Sequence, residues 1–211
     1  MEPRSGLPTV WTTHLAKALV GENACLLQPW LTARFKFDRR GDETALVQWK
    51  ANHTTLLTDI VAQYRKDGFK CQVERFFKAP GRFVNLTGKA DLIAQKTDVR
   101  PLIIDAKSGS PKDSDVAQVM VEMLAVPLAW QAPAMVFDGL VIYPTHQVKV
   151  TPAEANGLRS KAFGLLKQLG TMARPAPSPS RDNCLWCVVP KSECPDRWSE
   201  VELPEVVNEE F

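Results

Sequence analysis

Gly88-Lys89-Ala90-Asp91-Leu92-Ile93 and Pro101-Leu102-Ile103-Ile104-Asp105-Ala106-Lys107 decide how this chain is read. An acid sits against the first apolar run, and an acid and a lysine, one residue apart, close the second. On adjacent strands these runs place two carboxylates and an ammonium at one sheet edge, with the apolar residues beside them buried. Two convergent carboxylates hold a hard divalent cation such as Mg²⁺ or Mn²⁺, which takes oxygen ligands. A lysine next to them orients a water, or stabilises charge developing on phosphorus. The trio Asp91, Asp105 and Lys107 suits metal-assisted hydrolysis of a phosphodiester. Asp-x-Lys alone also occurs at ordinary exposed strand ends; the Gly-x-x-Asp one strand earlier turns the reading towards chemistry.

Working outward, the pattern is α/β, with a mixed central sheet flanked by helices. Strands are expected near 69–77, 82–94, 101–107, 139–143 and 147–150, with Ala79-Pro80-Gly81 as the first turn. Helices are expected over 8–20, 45–67, 115–129 and 152–170. His53 opens the apolar-periodic half of the second helix. In the third, capped by Asp113 or Ser114, an apolar face of Val116, Val119, Met120, Met123 and Leu124 leaves Gln118 and Glu122 on another side. Their four-residue spacing makes them neighbours that can both face a groove. Trp30, Phe35 and Phe37 interleave with Arg34, Lys36, Arg39 and Arg40, a pattern that packs a core or stacks on unpaired bases. The 211 residues read as one domain: a helical lobe over 1–44, a core over 45–170, and a tail over 171–211. The tail holds the stiff linker Arg174–Ser180 and an acidic end.

Five cysteines occur. Cys184, Cys187 and Cys194 cluster as a C-x-x-C with a third thiol close by, a spacing that means zinc or an iron–sulfur cluster. Cys25 or Cys71 supplies the fourth ligand; Cys71 otherwise reads as a small buried apolar residue. A disulfide needs an oxidising compartment, and Met1–Gly6 lacks the apolar core of a signal peptide, so the chain reads as cytoplasmic. No apolar run approaches a membrane span. The net charge is only +2, but seven Lys or Arg against two acids lie between Arg65 and Lys89, and seven acids against one arginine between Glu193 and Phe211. The basic stretch either attracts a phosphate backbone or is a solvated surface.

Gly88-x-x-Asp91 followed by Asp105-x-Lys107 resembles the PD-(D/E)xK nuclease core of the RecB-type exonucleases. The resemblance implies a divalent cation held by His53, Asp91, Asp105 and the Ala106 carbonyl, with Asp91, Asp105 and Lys107 catalytic. Gln118 matches the glutamine of the family's Gln-x-x-x-Tyr helix, but Glu122 stands where tyrosine is expected. Glu74 resembles the acid that often lies on the preceding strand; Glu74, Gln118 and Glu122 are therefore candidate DNA contacts. One cysteine before the core and three after it resemble the iron–sulfur subset that includes the CRISPR-associated adaptation nucleases. This implies a [4Fe–4S] cluster on Cys25, Cys184, Cys187 and Cys194, with zinc as the alternative. The resemblance further implies single-stranded DNA as substrate, exonuclease action, and partners in CRISPR adaptation or recombination. Two other readings stay open: a DNA-binding scaffold of the same fold without turnover, and a zinc-clamped hydrolase of another substrate.

Overall fold

The computed structural model describes residues 2–37, 43–185 and 187–199. In chain order the elements are β1 (Glu2–Pro3), β2 (Thr9–Trp11), α1 (Thr12–Val20), α2 (Leu27–Arg34), β3 (Phe35–Lys36), α3 (Glu43–Lys66), β4 (Lys70–Ala79), β5 (Asn85–Lys96), β6 (Val99–Ala106), α4 (Asp113–Ala129), β7 (Asp138–Ile142), β8 (Gln147–Val150), α5 (Pro152–Thr171) and α6 (Arg181–Leu185). The fold is α/β: a mixed six-stranded sheet flanked by helices, with β1 and β3 as a separate ribbon. No described helix is long and apolar enough to cross a membrane.

β5 is the spine of the sheet. β4 runs antiparallel along one edge, from Lys70↔Gln95 to Ala79↔Leu86. The other edge is shared: β2 lies parallel over Asn85–Thr87, and β6 pairs antiparallel from Leu92 onward. Between those partners, residues 88–91 face a notch. β6 continues parallel to β7 as far as Ala106↔Ile142, and β7 pairs antiparallel with β8.

Two apolar layers cover the sheet. On one side Leu57, Ile60 and Val61 of α3, at helical spacing, pack on Leu92, Ala94, Ile104 and Ala106. On the other, α1, α4 and α5 pack through Leu15, Leu19, Val119, Met123, Leu166 and others on Ala90, Ile93 and Ile103. Residues 90 and 92 would share a face in a regular strand, yet they belong to different layers, so β5 changes face at Asp91. Opposite it, Glu74 has φ 49°, a left-handed conformation that a side chain takes at a cost of roughly 1–3 kcal/mol.

Local chemistry sets the helix ends. Gly68, at φ 84°, closes α3 as Phe69 N–H donates to Tyr64 O at 2.9 Å, the glycine-terminated stop expected of such helices. Thr151 and Glu154 form a reciprocal capping box at α5, with Pro152 in the first turn.

Several expectations change. The helix foreseen over 8–20 begins only at Thr12. Thr9-Val10-Trp11 is a strand, because β-branched and aromatic residues pack well on a pleated edge and Val10 is buried against β5. The 1–44 lobe is therefore not purely helical. Helix α4 starts at Asp113 rather than 115, capped by Lys112, whose backbone N–H donates to Asp115 Oδ2 at 3.1 Å. Cys71 is only partly buried, at the margin of the α3 layer. Trp30 donates its indole N–H to Met172 O at 3.1 Å beneath the Arg34 guanidinium, and Phe35 and Phe37 pack beside Leu27 and Leu31. These aromatics fill a core. Arg39, Arg40 and the acidic stretch beyond Ser199 lie outside the described residues.

Gly88 is a glycine for lack of room. A Cβ there would lie 2.6 Å from Thr12 Oγ1 and 2.7 Å from Phe77 Cζ. Gly88→Ala should therefore cost about 1–3 kcal/mol by overpacking, read as a lower urea midpoint at unchanged slope. Adding Thr12→Ala should recover part of the loss.

Candidate active site

The notch in β5 is where the sequence-nominated residues meet. After Ile104, β6 leaves β5 and pairs only with β7. The Ala106 N–H, deprived of a strand partner on that side, donates instead to Asp91 Oδ2 at 2.9 Å. The same oxygen is 3.1 Å from His53 Nε2. His53 sits one turn before Leu57, the residue that anchors α3 on the sheet. Its hydrogen bond to Asp91 pushes the imidazole pKa up, against the lowering effect of partial burial.

Asp105 points to the opposite layer, towards α4. Its Oδ1 accepts from Gln118 Nε2 at 3.1 Å, and Lys107 Nζ lies 2.7 Å from its Oδ2, off the line of a good hydrogen bond. Gln118 also donates to Glu122 Oε1 at 3.1 Å and accepts from Lys107 Nζ at 3.4 Å. Thr12 Oγ1 reaches Glu122 Oε1 at 3.5 Å. A continuous chain thus runs from α1 through α4 to the end of β6. The close seat of α4 depends on Gly139 of β7, where a Cβ would come within 2.5 Å of Val119 and 2.6 Å of Met123.

Glu122 is fully buried, which corrects the expectation that it faces an open groove, whereas Gln118 is largely buried but still borders the cleft beside Lys107. α4 is covered on almost all sides, and there Gln118 donates to Asp105 while Glu122 accepts from Gln118 and Thr12. Glu74 stands apart: it is exposed and paired with Lys89. Thr12 belongs to the site network and was not foreseen; as an isolated threonine at a strand–helix junction it carries no sequence signal.

The electrostatics are lopsided. Asp91, Asp105 and Glu122 are all buried, and among the described residues the basic groups in contact with them are Lys107 and His53. Glu122 Oε2 is buried without a hydrogen-bond partner. Burial pushes the Asp105 carboxyl up to about 7, with Lys107 opposing and Asp91 adding to the rise. Burial, then Asp105, pushes Glu122 well above the usual range. Burial drives the Lys107 pKa down, and Asp105, Asp115 and Asp91 together push it up by more, so its ammonium is held in the charged form.

Among the described residues, no three His, Cys, Asp or Glu side chains form a closed ligand set for an ion. The donors instead suit a cation that keeps its waters, as Mg²⁺ does with one or two carboxylates. The surplus of buried negative charge is what such a cation neutralises.

A second assembly lies behind α2. Cys25, Cys184, Cys187 and Cys194 line one small cavity with Pro177, Pro179 and Arg197. All four are free thiols. Arg197 ties the segment together by donating to Val189 O at 2.7 Å and Cys184 O at 3.1 Å, and Ala24 N–H donates across to Asn183 Oδ1 at 3.3 Å. Burial pushes the Cys187 and Cys194 thiols up. Cys71 is not part of this group.

Because Asp105 and Glu122 bind protons more tightly when folded, their contribution to stability is complete below the ordinary carboxylate range. The Asp105 part is lost as pH rises through about 7, and the Glu122 part is likewise lost only well above the ordinary range. In chelator, Glu122→Gln should raise the melting temperature at pH 8, by about 2–4 °C for each kcal/mol recovered, and flatten the fall between pH 5 and 8. A lower melting temperature at pH 8 would show that the buried charge is not what costs.

No curated protein matches the chain. Among solved structures it is similar to the crystal structure of SSO0001 (14% identity over 93% of this chain and 90% of that one, TM-score 0.47) and to that of LHK-Exo in complex with dAMP (13% identity over 76% of this chain and 87% of that one, TM-score 0.45). A sequence profile of the PD-(D/E)XK nuclease superfamily matches residues 9–192, from the strand ahead of α1 to the cysteine segment, and the chain belongs to that superfamily.

Proposed function

We propose that this protein is a Mg²⁺- or Mn²⁺-dependent deoxyribonuclease that hydrolyses single-stranded DNA from an end. The observation that carries the reading is the uncompensated carboxylate cluster at the sheet notch, with one charged lysine at its mouth. Asp91, Asp105, the Ala106 carbonyl and His53 would hold the cation. Bound there, a divalent ion polarises the phosphoryl oxygen and acidifies a water. Lys107, fixed in its charged form, orients the attacking water and stabilises charge on the phosphoryl oxygens; it is not the base. Gln118 positions Asp105 and Lys107 together, and Glu122 and Thr12 hold Gln118. The resemblance to RecB-type nucleases supports exonuclease action, with proteins of CRISPR adaptation or recombination as the proposed partners.

The four thiols that line one cavity belong to the same proposal, as ligands that would close around a [4Fe–4S] cluster and tie the N-terminal lobe to the C-terminal segment. Thiols become thiolates when a metal centre replaces their protons. Zinc is the competing occupant. Cys187→Ala should strip the brown colour of anaerobically purified protein and lower its melting temperature by several degrees. A colourless wild type carrying zinc would overturn the cluster, and unchanged melting the clamp.

End-labelled single-stranded DNA with Mn²⁺ or Mg²⁺ tests the activity. The wild type should cleave, and Asp105→Ala should not. Lys107→Ala should lose rate by a factor on the order of 10²–10³, the scale of one transition-state donor, with DNA affinity nearly unchanged. DNA binding without cleavage by the wild type would favour a binding scaffold of the same fold.

A further inference from the structure

The first turns of α3 hang beyond the sheet. Core contacts of α3 begin at Leu56 and Leu57, and two large apolar side chains ahead of them stay exposed: Val47 at 65% and Trp49 at 51%. Single exposed apolar residues are common, but Trp49 is not placed at random. Its ring stacks on the imidazole of His53, with centroids 5.3 Å apart and planes at 26°. It lines a cleft of about 510 Å³ that also contains Lys107, Gln118, Thr13, Lys17 and Lys112. One face of an indole is thus supported from behind by a site residue, and the ring stands in the cleft that leads to Lys107.

The remaining charge in that cleft is arranged for phosphate. Lys17 comes from α1 and Lys112 from the turn before α4, and both approach Glu22, at 3.6 and 3.8 Å. Two ammoniums from different elements share one carboxylate, and both line the cleft that contains Lys107. Asp115, 3.8 Å from Lys107, is the acid on this wall, and it accepts from Tyr143. Basic groups with a supported aromatic face are the combination that binds unpaired nucleic acid: the amines track the backbone and the ring stacks a base of any sequence. A paired base inside a duplex cannot present its face to such a ring.

We propose that Trp49 is the stacking platform for the base beside the scissile phosphate, and that Lys17 and Lys112 hold the adjoining phosphates of a single strand in this cleft. The assignment deepens the nuclease reading and rests on it.

The test measures binding, with Ca²⁺ replacing the catalytic cation so that the strand remains uncut. Two probes are compared, a short oligothymidylate and a phosphodiester oligomer of the same length made of abasic nucleotides. Trp49→Ala should weaken oligothymidylate binding about tenfold, the scale of one stacked base, and leave the abasic oligomer unaffected. Trp49→Phe should restore part of the loss. Lys17→Ala and Lys112→Ala should weaken both oligomers alike and reduce the salt dependence. Equal effects of Trp49→Ala on both probes, or none on oligothymidylate at unchanged melting temperature, would overturn the platform and reduce Trp49 to a packing partner of His53. Failure of the wild type to bind either probe would instead overturn the DNA reading itself.

Discussion

One hydrogen bond, from the Ala106 backbone N–H to the Asp91 carboxylate, is the constraint around which the molecule is arranged. A sheet that continued β6 along β5 would satisfy this donor with a backbone carbonyl and leave no opening. Here a side chain takes the carbonyl's place, and β6 peels away at the point where its acid and lysine emerge. The opening must then be walled by something other than strands. Thr12 packs against Gly88 from one side, and His53 reaches Asp91 from the other. At the notch His53 from the α3 layer and Thr12 from the α1–α4 layer approach neighbouring positions of β5.

The second consequence is electrostatic. Once Asp91 is committed to a backbone donor and Asp105 is buried beneath α4, adding Glu122 to the same region puts more negative charge in a poorly solvated volume than Lys107 and His53 can balance. Proton uptake or a divalent cation restores the balance. Gln118 is what makes the crowding tolerable. Its amide group donates to two of the acids, while its carbonyl takes the lysine, so one neutral side chain spaces three charged ones.

Much of this was legible in the sequence because it was local. Gly88-x-x-Asp91 and Asp105-x-Lys107 each lie on one strand, and strand periodicity alone predicts which residues reach the sheet edge. His53 was legible for the same reason, as it opens the apolar stripe of α3. The four cysteines were legible from spacing and order. Three things were not. The strand at Thr9–Trp11 is short and runs straight into a helix, so its pattern was absorbed into the helical reading; only its parallel partner at 85–87 defines it. The inward turn of Gln118 and Glu122 depends on how many neighbours cover α4, which no single-helix pattern encodes. Thr12 matters through a glycine and a glutamate far from it in the chain, a relation that exists only in three dimensions.

The thiol cavity also sets an order of events. The backbone of Ala24 is bonded to Asn183, 159 residues further along, and Leu27 and Leu31 share their small core with Val189 and Cys194. A chain leaving the ribosome makes that N-terminal segment early, and it then waits without packing partners until the residues around Asn183 have been synthesised. Contacts of such separation close late and slowly. The sheet and its acids can form beforehand, but the lobe around Cys25 cannot settle until the segment around Asn183 has been made, so a product cut short before that segment would keep the carboxylates and lack the ordered lobe beside them.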